Sequence, residues 1–191
     1  IQEAVNYAPP FAKVEAFGDF YITKGIVLSG NPIKLAVYGT IYQNGNFDVL
    51  SITNYWVGEI EEITIRGGAD KGYTGTGIYI HSSTVYGVRF GRVRISNMNG
   101  YGFRIDTDSG MFTSRITVDD LSVTDSLGTG IRIAGEVNDV VMGSVYAVNN
   151  TKNFEIANGN AGLTNKTWPQ VVYISSLYLE STPDTPSTIS A

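Results

Sequence analysis

One short alternating strand recurs five times along this chain, and it constrains the fold more than any other feature. It reads Leu50-Ser51-Ile52, Ile78-Tyr79-Ile80, Phe103-Arg104-Ile105, Ile131-Arg132-Ile133 and Phe154-Glu155-Ile156, and Gly77, Gly102 and Gly130 directly precede three of the copies. A second strand ends at Ile60, Phe90, Val118, Met142 and Ile174. In each case two residues separate it from a third strand, which begins at Ile63, Val93, Leu121, Val145 or Leu177. The links are Glu61-Glu62, Gly91-Arg92, Asp119-Asp120, Gly143-Ser144 and Ser175-Ser176. Each repeat thus holds three short strands, one tight corner of fixed length and two corners of variable length.

Apolar residues at every second position put one face of a strand inside and the other in solvent. The repeat is too short for propeller blades and lacks the helix of leucine-rich or ankyrin repeats. A jelly roll or sandwich also has many short strands, but nothing in it would hold one corner at two residues through five repeats. What remains is a coil that stacks each strand on its equivalent in the next turn. The chain is therefore predicted to be an all-β, right-handed, single-stranded parallel β-helix. At least four coils should stack, with Ile78, Ile80, Phe103, Ile105, Ile131 and Ile133 inside.

The β-helix is assigned to residues 1–180, with a capping helix over 1–8 ended by Pro9-Pro10 and coils over 13–180. Residues 181–191 carry Pro183 and Pro186 among Ser and Thr and read as an exit segment or linker. The abrupt start and the lack of a capping signal at the far end point to a piece of a longer chain. The 22 glycines, 12 tyrosines and only 16% charged residues suit turn-rich β structure. A net charge of −5, with no Lys/Arg run longer than a pair, leaves no electrostatic footprint for nucleic acid or an anionic membrane. No apolar run approaches the roughly 20 residues that cross a bilayer. There are no cysteines, so neither disulfides nor thiolate metal sites are expected.

The Gly128-to-Ile133 pattern Gly-Thr-Gly-Ile-Arg-Ile, its partner Gly100-Tyr101-Gly102-Phe103-Arg104-Ile105 and the short link between second and third strands resemble the pectate-lyase-like superfamily. The opening resembles it too: Ile1 to Ala8 as a capping helix, then Lys13 to Phe17 and Gly18 to Ile22 as first strands. Within that superfamily the chain is most similar to phage tailspike and tail-fibre β-helices. The resemblance implies a protein that binds, and in its enzymatic form cleaves, bacterial surface polysaccharide such as capsule or lipopolysaccharide, as a glycoside hydrolase or polysaccharide lyase. The alternative it leaves open is a non-catalytic shaft or receptor-binding module. It further implies a homotrimer on a phage tail, or failing that a secreted or cell-surface protein. Tyr146, Tyr173 and Tyr178 supply surface that a partner copy could cover. The Asn-Thr-Asp, Asp-Asp and Gly-His-Gly signatures of polygalacturonases are missing, as is the aspartate cluster of a calcium-dependent lyase. No metal or cofactor is expected.

By the same resemblance, the strand introduced by glycine lines the carbohydrate groove. Alternation alone gives its outward ladder, Ser51, Tyr79, Arg104, Arg132 and Glu155, with His81, Asp106, Ala134 and Ala157 forming a second. Candidate catalytic groups are Asp106 with Asp108, roughly 6.6 Å apart on extended chain and in the range of an inverting hydrolase. Glu155, roughly 10 Å from Asp106, and His81, a possible acid or base beside Asp106, complete the set. Each has a plainer reading, as a turn aspartate, an ion-pair member or a surface histidine. Candidate binding groups are Tyr79, Arg104, Arg132, Trp168 in the loop 158–170, and Tyr73 in the glycine-rich loop 67–76, which reads as a flexible rim.

Arg104 and Arg132 should stack about 4.8 Å apart. Either Asp106 and Glu155 satisfy them as a salt-bridge ladder, or they bind the acid groups of a glycan while Tyr79 stacks on a sugar. On the glycan reading, removing both arginines should abolish binding and leave the melting temperature nearly unchanged. Glu62, Arg92 and Asp120 should form a solvated ladder at the fixed corner. Asn97, Asp125 and Asn149, each just after a third strand, should stack as turn residues.

Overall fold

A computed structural model describes residues 1–81, 84–107, 111–158, 169–180 and 189–190. One short helix, α1 (Gln2–Tyr7), precedes the strands β1 (Lys13–Phe17), β2 (Phe20–Ile22), β3 (Ile26–Leu28), β4 (Lys34–Gln43), β5 (Leu50–Ile52) and β6 (Tyr55–Arg66). After a turn of 3₁₀ helix at Ala69–Lys71 come β7 (Ile78–His81), β8 (Val85–Ser96), β9 (Phe103–Thr107), β10 (Thr113–Thr124) and β11 (Thr129–Gly135). The chain continues through β12 (Val137–Val148), β13 (Lys152–Ala157), β14 (Val172–Glu180) and β15 (Ile189–Ser190). Every pairing is parallel, and the strands alternate between two sheets to give a β-helix of about five turns. Short strands form one sheet in the order β15-β13-β11-β9-β7-β5-β3. The long strands form the other, β1-β4-β6-β8-β10-β12-β14, with β2 on β4.

The expected second and third strands of each coil are one continuous element. Ile60 and Ile63 are both buried while Glu61 and Glu62 between them face outward. Two successive outward residues turn the strand through a corner, and the ladder is lost at only one of them: Glu61, Gly91, Asp119 and Gly143 go unpaired while their neighbours stay in register. Glycine suits this corner because a Cβ on Gly91 would lie 2.4 Å from the Glu61 carbonyl oxygen of the coil below. On either side, columns of apolar residues fill the interior, such as Ile60-Phe90-Val118-Met142 and Ile63-Val93-Leu121-Val145. From the short strands come Leu50-Ile78-Phe103-Ile131-Phe154 and Ile52-Ile80-Ile105-Ile133. The six predicted core residues are all fully buried. At about 1.5–3 kcal/mol per buried large side chain, these columns are the main source of stability.

Asn97, Asp125 and Asn149 follow the long strands with φ of 57°, 55° and 56°. Asn and Asp tolerate this left-handed conformation better than other non-glycine residues. The row is stitched along the axis by Asn149 Nδ2 donating to Asp125 Oδ1 at 3.2 Å. A second left-handed row crosses the long strands at Val57, Gly87, Arg115 and Asp139. The capping helix closes the first coil with its side chains. Gln2 Nε2 donates to the Val27 carbonyl (3.1 Å) and Gln2 Oε1 accepts from the Val27 N–H (2.6 Å), so one amide side chain takes the place of a missing strand on β3. That satisfies an edge that would otherwise be open to pairing. Among the described residues, no helix is long and apolar enough to cross a membrane.

Candidate functional site

The outer face of the short-strand sheet carries the two predicted ladders in the predicted register. Ser51, Tyr79, Arg104, Arg132 and Glu155 are successive partners, as are His81, Asp106, Ala134 and Ala157. Parallel stacking of equivalent strands leaves no freedom here, since a slip of one residue would turn the apolar columns outward.

Within this register a compact charged cluster forms. Arg104 Nη2 donates to Asp106 Oδ2 at 2.6 Å, and Arg132 Nε lies 3.7 Å from the same oxygen. Arg132 Nη1 donates to Glu155 Oε2 at 2.5 Å, and Lys152 Nζ to Glu155 Oε1 at 2.9 Å. The Asp106 side chain is 0% exposed, Arg132 14% and Glu155 16%, although all three are on the outward side of the strand. Aromatic rings help to cover them. The Arg104 guanidinium lies 4.4 Å from the Tyr79 ring centre and 4.6 Å from that of Tyr101, with Arg132 6.0 Å from Tyr101. The His81 ring stacks on Tyr79 at 4.2 Å.

Asp106 Oδ1 and the Nε atoms of both arginines are buried without hydrogen-bond partners, so the cluster holds more polar capacity than it uses. Partial burial pushes the Glu155 carboxyl upward, but hydrogen bonds from Lys152 and Arg132 outweigh it and hold the group below the usual glutamate range. Burial disfavours the charged Arg132, yet the bond and charge of Glu155, with Asp106 behind, hold it even more firmly protonated than a free arginine.

These facts limit the chemistry. Glycoside hydrolysis needs one carboxyl protonated at working pH and a second open to water or sugar. Glu155 is held as a carboxylate, Asp106 is sealed, and the Arg132 guanidinium contacts both. Asp108 and Trp168 lie outside the described residues. Tyr73 sits in the glycine-rich loop, its ring against Gly68 and its hydroxyl donating to Asn44 Oδ1 at 3.1 Å. The loop is not the loose rim its composition suggests. The buried Gln43 amide donates to the Phe47 and Thr74 carbonyls (2.8 and 2.9 Å) and accepts from the Gly68 N–H (3.1 Å).

Two members of the cluster escaped the sequence reading. Tyr101 precedes the strand, and only its place between two glycines marks it. Lys152 is three residues from Glu155, a spacing that in a regular strand puts the two on opposite faces. Here Asn153 and Phe154 are both buried, which shifts the phase and brings Lys152 to the same side. At the fixed corner, Arg92 does pair with Glu62 (3.4 Å), but Asp120 takes Arg94 (2.5 Å) although its backbone is in register with Arg92.

No family model matches this chain, and neither curated proteins nor solved structures provide a match.

Proposed function

We propose that this β-helix is a polysaccharide-binding module of the phage tailspike type, and that it holds an acidic bacterial surface glycan along the outer face of the short strands. The observation that supports it most directly is the aromatic and cationic surface built on a rigid ladder. Tyr79, Tyr101 and His81 offer half-exposed rings for the apolar faces of sugars. Beneath them, Arg104, Arg132 and Lys152 against Asp106 and Glu155 leave one net positive charge. Binding without cleavage is the better reading of this face, because Glu155 has no proton to give at neutral pH and Asp106 is out of reach. In this reading the chain works on a phage tail as part of a homotrimer. The stacked pair Tyr146–Tyr178 (5.1 Å, 3° between planes) and the exposed Tyr173 are candidates for the contact between copies.

The test is retention of the protein on immobilised polygalacturonate against neutral dextran, with reducing ends assayed in parallel. Acidic polymer should be bound without new reducing ends, and Tyr79→Ala should weaken binding about tenfold, the loss of one stacking contact. Unchanged binding in a Tyr79→Ala/Tyr101→Ala double variant would remove this face from consideration.

A further inference from the structure

The long-strand sheet, away from the groove, carries a cavity of its own. We infer that the cavity beside Tyr21 and Tyr42 takes a single acidic sugar residue, with its ring on the tyrosines and its carboxylate on Arg66. This goes beyond the groove reading and does not depend on it.

Tyr21, Tyr42 and Arg66 are successive rungs on the outer face of the long-strand sheet. The two rings stack at 4.6 Å and 11° into one flat wall, and Tyr21 is 71% exposed. A tyrosine exposed to that extent adds little to the core, and a flat aromatic wall is the surface on which the C–H face of a pyranose packs. The 3₁₀ turn brings Asp70 and Lys71 to the edge of the wall, enclosing a cavity of about 190 Å³. That is below the roughly 300–1,000 Å³ of sites for drug-sized ligands, so the occupant is one ring, not a longer chain segment.

The charge of the cavity selects the kind of ring. Arg66 and Lys71 have no carboxylate within ion-pair distance among the described residues, and Asp70 accepts a hydrogen bond from Asn97 Nδ2 at 2.7 Å. Two cations thus face one carboxylate. In the groove, by contrast, both arginines are already engaged. A free guanidinium suits the two oxygens of a carboxylate, while Asp70 and Lys71 can accept from and donate to ring hydroxyls. The site is also preformed. The three hydrogen bonds of Gln43 fix the turn against the end of β4, and a Cβ on Gly67 would lie 2.3 Å from the Asn97 carbonyl oxygen, so the backbone there is closely packed. Binding therefore does not have to order a loop.

Saturation-transfer NMR on the intact chain, with glucuronate and methyl glucoside as probes, tests the assignment. Glucuronate ring protons should receive saturation, and Tyr21→Ala and Arg66→Gln should each weaken its binding about tenfold. Because the groove is proposed to take acidic sugar through Tyr79 and Tyr101, these comparisons are made in a Tyr79→Ala/Tyr101→Ala background, where glucuronate should still receive saturation. Tyr21 is too exposed for its loss to unfold the chain, so failure of that variant to bind is not a folding artefact. Absence of transfer to glucuronate in that background, or equal binding there with and without Tyr21→Ala, would overturn the site. Equal binding of glucoside and glucuronate, unaffected by Arg66→Gln, would overturn its acidic ligand.

Discussion

Two charge ladders of the same chemistry run along this solenoid, and they are built to opposite effect. On the long-strand sheet, Lys34, Glu59 and Arg89 are successive rungs of alternating sign and Asp119 reaches Arg89 from the corner of the next coil, with Arg89 Nη2 to Asp119 Oδ2 at 2.7 Å and Lys34 to Glu59 at 3.0 Å. Arg89 remains 59% exposed and Asp119 41%. On the short-strand sheet the same kinds of pair are almost closed to solvent, beneath Tyr79 and Tyr101. Exposed pairs are screened by water and contribute about 0–1 kcal/mol each. Buried ones cost desolvation when made and far more when half of one is removed. Alternation of charge along an outward ladder therefore says little about energy until the side chains that cover it are known.

Arg132→Ala should break this comparison most visibly. It leaves Asp106 buried with one cation fewer and Glu155 with Lys152 alone, a loss of about 3 kcal/mol, or about 6–12 °C in melting temperature for a chain of this size. This reverses the sequence-based expectation that the groove arginines could be removed at no thermal cost, which assumed that they lay in water. A calorimetric midpoint within 2 °C of wild type, on the same scaling, would mean that the cluster is no more coupled than the exposed ladder.

Acid should have a smaller effect. The folded carboxyl of Glu155 is held below its ordinary value of 4.5, so the stability it contributes is fully present above that pH and is lost as pH falls through the lower folded value. Glu155→Gln should flatten this part of the stability curve below pH 4.5; an unchanged slope in urea titrations would disconnect Glu155 from the fold.

The smallest change is expected from Arg89→Ala, under about 1 kcal/mol and reduced further at high salt. If its melting temperature falls as far as that of Arg132→Ala, burial is not what separates the two ladders.

Much of the fold could be read directly, because it is a local pattern repeated. Ile78, Phe103 and Ile131 announce their column by alternation, and Glu61-Glu62 and its equivalents announce the corner by two outward residues in succession. The Asn97-Asp125-Asn149 row was legible for a similar reason, since those residue types suit a left-handed turn. The site was legible only as far as register carries. Arg104 had to stack on Arg132, but nothing local tells that Tyr101 folds over Arg104, that Asp120 prefers Arg94 to Arg92, or that a phase shift at Asn153 delivers Lys152 to Glu155. The glycine-rich loop misled for the same reason. Its composition suggests looseness, while a buried glutamine some 25 residues earlier, Gln43, ties it down.

By itself, then, the sequence determined the coil, its period, its inner columns and which side chains stand side by side on each face, because alternation and coil length are constraints carried within each repeat. Only the tertiary structure decided which outward charges lie in water, which are sealed, and where aromatic and cationic groups converge on a cavity. Burial and pairing depend on what neighbouring coils and loops place over a side chain, and those groups come from elsewhere in the chain.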